Sequence, residues 1–331
     1  MPVIYSNSFV PAWWLSNPHL QTLWPALLRQ GPNIERNREQ LDTPDGDFVD
    51  LDWTDAETGP LVLLLHGLSG SSRSSYILGM QSALRSCGMD SVALNFRGCG
   101  GDPNRTARCY HSGDTDDLNY LYSVLTARFP GRPIAAVGFS LGGNVLLKWL
   151  GEQGSEVKLF GAAAVSVPML LDRCADRLDA GLSKIYRDRL LKELKDYVRI
   201  KREHLREFGP VDEFRKLANL GELDPIRSFW EYDDRVVATL YGFNGVHDYY
   251  RRCSARPYLK QVRCPALIVH AQDDPFMSPD VIPTADELSC TVLLEVCRAG
   301  GHVGFIAGSQ LCQPCYWLEQ RIPQFLSQQL E

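Results

Sequence analysis

A serine hydroxyl becomes a nucleophile only when a neighbouring base removes its proton, and one serine of this chain stands where that chemistry can be built. Gly138-Phe139-Ser140-Leu141-Gly142 follows an apolar run, Pro133 to Val137, and precedes a helix-like stretch, Asn144 to Gly151. Gly-x-Ser-x-Gly between a strand and a helix is the nucleophile elbow. The turn is so tight that only small residues fit two positions before and after the serine, and the hydroxyl is held clear of the backbone at the carboxyl edge of a sheet. The five-residue pattern is weak by itself; the strand before it and the helix after it give it meaning.

The base must come from seven histidines. In elbow architectures the acid and then the histidine follow the serine along the chain, which leaves His204, His247, His270 and His302. His302 has the fitting context: a strand-like run, Thr291 to Cys297, leads into Arg298-Ala299-Gly300-Gly301-His302-Val303-Gly304, where glycines let the imidazole approach another segment. His270 reads as a core or strand-end residue, His204 as a solvated residue of a charged helix, and His247 lacks a comparable loop. The third member orients the imidazole and stabilises its charged form. The buried strand Cys264 to His270 ends in Ala271-Gln272-Asp273-Asp274-Pro275. Two aspartates compete there. Asp274 is favoured by its distance from the strand; Asp273 is the alternative, its other role being to cap the turn at Asp274-Pro275. The oxyanion of acyl transfer needs two backbone donors. One is the amide of Leu141, directly after the nucleophile. The other is expected from the loop His66-Gly67-Leu68-Ser69-Gly70, with Leu68 as the donor and His66 shaping the loop.

These residues need a sheet to hold them. Short apolar runs at Leu61–Leu65, Ser91–Asn95, Ile134–Val137, Ala162–Val167, Ala266–Val269 and Val292–Val296 alternate with helical stretches near Tyr76–Arg85, Thr115–Arg128 and Asn144–Leu150. That rhythm predicts an α/β fold, a mostly parallel sheet covered by helices. Asp114 or Thr115 is placed to cap the second helix. Asp42 to Trp53, with Asp45-Gly46 at its turn, reads as an antiparallel hairpin whose carboxylates form a wet face without calcium-loop spacing. Residues 168–263 break the rhythm with a long, charged, helical insertion. Ile185, Leu190, Leu191, Leu194, Val198 and Ile200 fall close to a helical stripe, the mark of an amphipathic helix. The insertion is read as a helical cap within a single domain spanning 1–331, with Met169, Leu170, Leu171, Phe229, Trp230, Tyr241 and Phe243 as candidates for lining an acyl pocket. The aromatic stretch from Trp13 to Leu28 reads as a helix capped by Ser16 or Asn17, with Pro18 in its first turn, clamped over the domain. A lipid-facing surface helix is the other reading.

The segments Asn17-Pro18-His19-Leu20-Gln21-Thr22, His66-Gly67-Leu68-Ser69-Gly70, Asn95-Phe96-Arg97-Gly98, Gly138 to Asn144, Asp273-Asp274-Pro275-Phe276 and Gly300 to Phe305 occur in an order that resembles the α/β-hydrolase superfamily, and within it the YheT-like esterases, relatives of abhydrolase-type medium-chain esterases and lipases. The resemblance implies a serine carboxylesterase acting on short- to medium-chain acyl esters, with a helical cap over the site. An acyltransferase or an acylglycerol lipase on the same triad, and a hydrolase fold reused as a binding protein, are the alternatives. Enzymes that carry Asp at the elbow are set aside, because Ser140 stands there.

Composition narrows the partners. Apolar residues make up 44% of 331 residues and the net charge is −6, with a mean hydropathy of −0.19. No basic block suggests nucleic acid. Nothing reads as a dinucleotide fingerprint, Walker loop or H-E-x-x-H zinc motif, so no cofactor or metal is expected. The expected partner is a small acyl ester or lipid-like substrate. The N-terminal apolar stretch is too short and interrupted to span a bilayer and lacks signal-peptide character, so stable membrane insertion is not expected. Ten cysteines scattered through strands and helices suggest reduced thiols and a cytoplasmic setting. Cys312-Gln313-Pro314-Cys315, lacking a second pair, reads as incidental spacing.

Overall fold

The computed structural model describes residues 3–6, 8–54 and 59–331. Nine strands form one sheet: β1 (Val3–Ser6), β2 (Arg36–Asp42), β3 (Phe48–Thr54), β4 (Leu61–Leu65), β5 (Asp90–Asn95), β6 (Ile134–Phe139), β7 (Gly161–Val165), β8 (Ala266–Ala271) and β9 (Val292–Cys297). Their order is β1-β9-β8-β7-β6-β4-β5-β3-β2. All neighbours pair in parallel except β3 with β5 and β2 with β3. The helices of the sheet layers are α1 (Pro18–Leu27), α2 (Ser75–Ser86), α3 (Asp116–Arg128), α4 (Leu141–Gln153) and, last in the chain, α11 (Leu318–Gln328). Between β7 and β8 lie α5 (Leu171–Leu178), α6 (Ser183–Phe208), α7 (Val211–Ala218), α8 (Phe229–Tyr232), α9 (Thr239–Tyr241) and α10 (Val246–Cys253).

The continuous apolar strands are explained by burial on both faces. Leu61, Leu63 and Leu65 pack with Leu118, Leu121, Val145 and Leu146 on the α3–α4 side. Val62 and Leu64 point the other way, toward Ile77, Met80, Leu318 and Ile322 of α2 and α11. The segment between β7 and β8 has a core of its own, including Leu191, Leu194, Val198, Leu205 and Tyr249. Its long helix corrects the expected stripe. Ile185 and Ile200 are 67% and 61% exposed, and the buried face runs Tyr186, Leu191, Leu194, Val198, Lys201, Leu205. A cation, Lys201, occupies a position that hydropathy assigns to the outside; its ammonium donates to the Arg108 carbonyl.

The hairpin β2–β3 forms as expected around Gly46, which has φ +83, but of the carboxylates between Asp42 and Trp53 just Asp42 and Asp45 are exposed, and the others are not a wet face. Asp47, Asp50 and Asp52 are buried. Asp52 accepts from Arg38, Ser72 and Asn95, and Asp47 accepts from Arg97 and Thr106. Alternation on a hairpin implies one solvated face only when nothing covers it; here the loop around Arg97 and Thr106 does. The expected cap of α3 is also absent. Thr115 occupies the cap position without a capping bond, because its hydroxyl donates to Glu152 of α4 at 2.8 Å and Asp114 pairs with Arg108. Strand β7 ends at Val165, short of the expected Val167, because Ser166 turns out at φ +50. Helix α1 is capped by Asn17, whose side chain accepts from the amides of His19 and Leu20. The ten cysteines are free thiols. Among the described residues no helix is long and apolar enough to cross a membrane.

Candidate active site

Ser140 sits between β6 and α4 with φ +51, a region that costs a non-glycine residue free energy and persists only where its surroundings impose it. The imposition is visible at Gly142, where a Cβ would stand 2.5 Å from the carbonyl oxygen of His66 and 2.6 Å from that of Leu65. The strand, the loop after β4 and the start of α4 therefore close on one another only with glycine there. The Ser140 amide is tied to the Val165 carbonyl at 2.8 Å.

His302 arrives from the loop after β9. Its Nε2 lies 2.9 Å from Ser140 Oγ and its Nδ1 2.8 Å from Asp274 Oδ2. The structure thus brings Ser140, His302 and Asp274 into one hydrogen-bonded line. A proton on Nδ1 directed at the carboxylate leaves the Nε2 lone pair facing the serine hydroxyl, the tautomer a general base requires. Asp274 is 3% exposed, and its second oxygen accepts from the Phe276 amide at 2.8 Å. Asp273 turns the other way and accepts from the Gly301 amide at 3.0 Å. The turn bond assigned to Asp273 on sequence grounds belongs to Asp274, and Asp273 anchors the histidine loop. Burial raises the Asp273 carboxyl, with the amides of Gly301 and Gly300 opposing.

Several residues that position His302 escaped the sequence reading. Thr22 Oγ1 accepts from the His302 amide at 2.9 Å, and Ser166 Oγ accepts from the Val303 amide at 3.0 Å. Phe276 stacks on the imidazole, centroids 4.1 Å apart and planes 3° from parallel. Thr22 and Phe276 fall inside the segments that carried the resemblance; Ser166 had no sequence signal. The N-terminal segment is clamped by Gln21, which is fully buried and bonds both Leu15 and Ile306. Leu20 and Leu27 on the same helix, and Leu28 just past its end, stay exposed.

The loop after β4 faces the serine, a Cβ on Gly67 falling 3.2 Å from Ser140 Cβ. Three of its amides have acceptors: Gly67 bonds Tyr76 Oη at 2.9 Å, Ser69 bonds Tyr110 Oη at 3.0 Å, and Gly70 bonds the Gly67 carbonyl. The Leu68 amide has none among the described residues. The Leu141 amide, in the first turn of α4, likewise lacks an intrahelical acceptor. Both residues line the same cavity as Ser140 and His302. His66 is buried; its Nε2 accepts from the Phe96 amide and its Nδ1 meets the Gly67 carbonyl. Burial pushes it down to about 4, so it is a neutral brace of the loop. Of the other histidines, His270 is buried in β8, His247 lies against Trp230 and His204 against Phe208; none approaches Ser140.

The cavity over Ser140 measures about 510 Å³. Of the residues expected to line it, Leu171 and Phe229 do. Met169 is core, Trp230 donates to Asp176, and Tyr241 and Phe243 border a second, polar cavity near His111. No group of three or more metal-ligating side chains is assembled among the described residues.

Comparison with known proteins agrees with this geometry. Residues 60–309 match the α/β hydrolase fold family. The chain is 40% identical to YheT of Escherichia coli (strain K12) over 98% of its own length and 95% of that protein's. It is 31% identical to mouse phospholipase ABHD3, covering 100% of this chain and 80% of the relative. The Pyrococcus furiosus esterase Pf2001 superposes with a TM-score of 0.55 at 18% identity, over 91% of this chain and 98% of that one, a likeness of fold. With the elbow, the sheet order and these matches together, the chain belongs to the α/β-hydrolase family, in the branch that contains YheT.

Proposed function

We propose that this protein is a serine carboxylesterase that hydrolyses short- to medium-chain acyl esters through an acyl-enzyme on Ser140. The carrying observation is the line Asp274–His302–Ser140, with contacts of 2.8 and 2.9 Å, opening on a cavity whose wall includes Leu171, Leu178 and Phe229. Ser140 Oγ attacks the ester carbonyl carbon while His302 Nε2 takes the hydroxyl proton. The carbonyl oxygen becomes an oxyanion held by the amides of Leu68 and Leu141, with the N-terminus of α4 adding its dipole. Collapse breaks the bond to the alcohol oxygen, which takes the proton from His302. A water then gives a proton to His302 and attacks the acyl carbon; the second collapse frees the acid and returns that proton to Ser140. Asp274 holds the imidazole throughout and stabilises its cationic form. Residues 168–263 act as the cap that excludes bulk water and supplies apolar surface for the substrate.

The relatives support ester chemistry. They include mouse phospholipase ABHD3 at 31% identity and a Saccharomyces cerevisiae monoacylglycerol lipase at 30% identity over 82% of this chain. Hydrolysis of p-nitrophenyl esters from acetyl to palmitoyl, with Ser140→Ala in parallel, tests the reading. Turnover that depends on Ser140 and peaks at one chain length is expected. Equal turnover by Ser140→Ala, or none by the folded wild type, contradicts it.

A further inference from the structure

The cavity over Ser140 is open to solvent where its lining residues are exposed and closed where they are buried. Ala26, Arg73 and Arg189 on the open side are exposed. On the closed side Leu171, Cys174, Ala175 and Leu178, spaced as one face of α5, are all buried. That apolar wall does not continue to the end, because the cavity also reaches Asp233 and Tyr250.

Asp233 begins a π-helical turn, Asp233–Ala238, between α8 and α9, a local widening that often marks functional positions. Tyr250 Oη donates to Asp233 Oδ2 at 2.7 Å. Asp233 Oδ1 has no protein partner among the described residues, and no cation pairs with the carboxyl. Burial pushes Asp233 up to about 7, against the bond from Tyr250. Near neutral pH the group is therefore in good part protonated, able both to donate and to accept. Tyr250, its proton directed at Asp233, offers lone pairs. A hydroxyl is the complement of this pair, since it accepts from one oxygen while donating to another. A methyl terminus in the same place covers the half-buried Asp233 carboxyl and leaves its Oδ1 unpartnered, and sites whose polar groups are desolvated by the ligand discriminate strongly against ligands that lack the matching group.

The order of bond breaking says which half of the ester lies there. The alcohol departs before water attacks and needs the open side. The acyl group stays bonded to Ser140 until the second step, so the closed side suits it. We propose that Asp233 and Tyr250 form a polar subsite at the closed end of the acyl pocket, selecting esters whose acyl chain carries a hydroxyl group. This rests on the esterase reading of Ser140.

The test compares p-nitrophenyl esters of plain and ω-hydroxylated acids, from hexanoyl to dodecanoyl, on the full-length protein. At the length that reaches Asp233, the hydroxylated ester is expected to exceed its plain counterpart in kcat/KM by about tenfold or more. Asp233→Leu is expected to abolish or invert that ratio. Asp233→Asn, whose amide both donates and accepts, is expected to retain a preference. Absence of a hydroxyl preference at every length in the wild type overturns the subsite, as does an equal loss on both series in Asp233→Leu, which marks a structural role. Ser140-dependent turnover of plain esters with no hydroxyl preference sinks only the subsite; no turnover of either series by folded protein contradicts the esterase reading as well.

Discussion

At the scale of single residues, each group of the site carries a separable loss. Ser140→Ala and His302→Ala are each expected to lower kcat by about four orders of magnitude or more without unfolding the protein, read by ester hydrolysis beside circular dichroism. Asp274→Asn and Asp273→Asn separate the two aspartates. The first removes the partner of His302 Nδ1 and is expected to cost far more in kcat; the second touches only the loop amide of Gly301. A larger loss in Asp273→Asn reverses the assignment. Tyr110→Phe leaves the Ser69 amide without its acceptor and loosens the loop that carries the Leu68 amide, so kcat is expected to fall by about tenfold to a hundredfold with little change in KM. Ser140 and His302 were legible in the sequence because the sterics of the elbow and the glycines of the histidine loop write themselves into local spacing. Thr22, Ser166, Tyr76 and Tyr110 were not. Thr22, Ser166 and Tyr110 act through a bond to a segment remote in sequence and Tyr76 through one to the loop nine positions before it, and a single hydroxyl residue carries no local sign of that.

At the scale of elements, Arg97 joins pieces that the sequence showed only one at a time. Its guanidinium, 1% exposed, meets Asp45 and Asp47 of the β2–β3 hairpin and Asp117 of α3, while its carbonyl accepts from Tyr197 of α6 at 2.7 Å. Burial acts to raise the Asp45 and Asp47 carboxyls, and the bonds they accept outweigh it, so both are held below the usual range. Carboxyls depressed in the folded state contribute stability above their unfolded values, near pH 4, and that contribution is lost as pH falls through the lower folded values. Arg97→Met strands like charges in the interior and is expected to cost about 3–5 kcal/mol at pH 7 in urea unfolding. The gap from wild type is expected to narrow below about pH 4 as the carboxylates protonate. A gap independent of pH contradicts the network. The hairpin itself was legible from alternation and Asp-Gly. Its burial was not, because what covers it comes from residues about fifty positions later.

At the scale of the whole molecule, the sheet edge and the helical segment between β7 and β8 line the cavity over Ser140 together. The parallel sheet was legible from continuous apolar runs, which only strands covered on both faces require. Which helical residues face the cavity was not, since core and cavity walls use the same apolar types; Leu171 and Phe229 reach it and Met169 does not. Filling the closed side with Leu178→Trp is expected to move the p-nitrophenyl ester optimum toward shorter acyl chains with acetyl turnover least affected. An unchanged optimum places the acyl chain elsewhere. The most direct test of the central claim is mass spectrometry of the protein after exposure to a fluorophosphonate, which captures a serine activated for attack at a tetrahedral centre. The account predicts one adduct, on the peptide carrying Ser140, absent in Ser140→Ala and formed far more slowly in His302→Ala. An adduct on another residue, or none on the folded wild type, would contradict it.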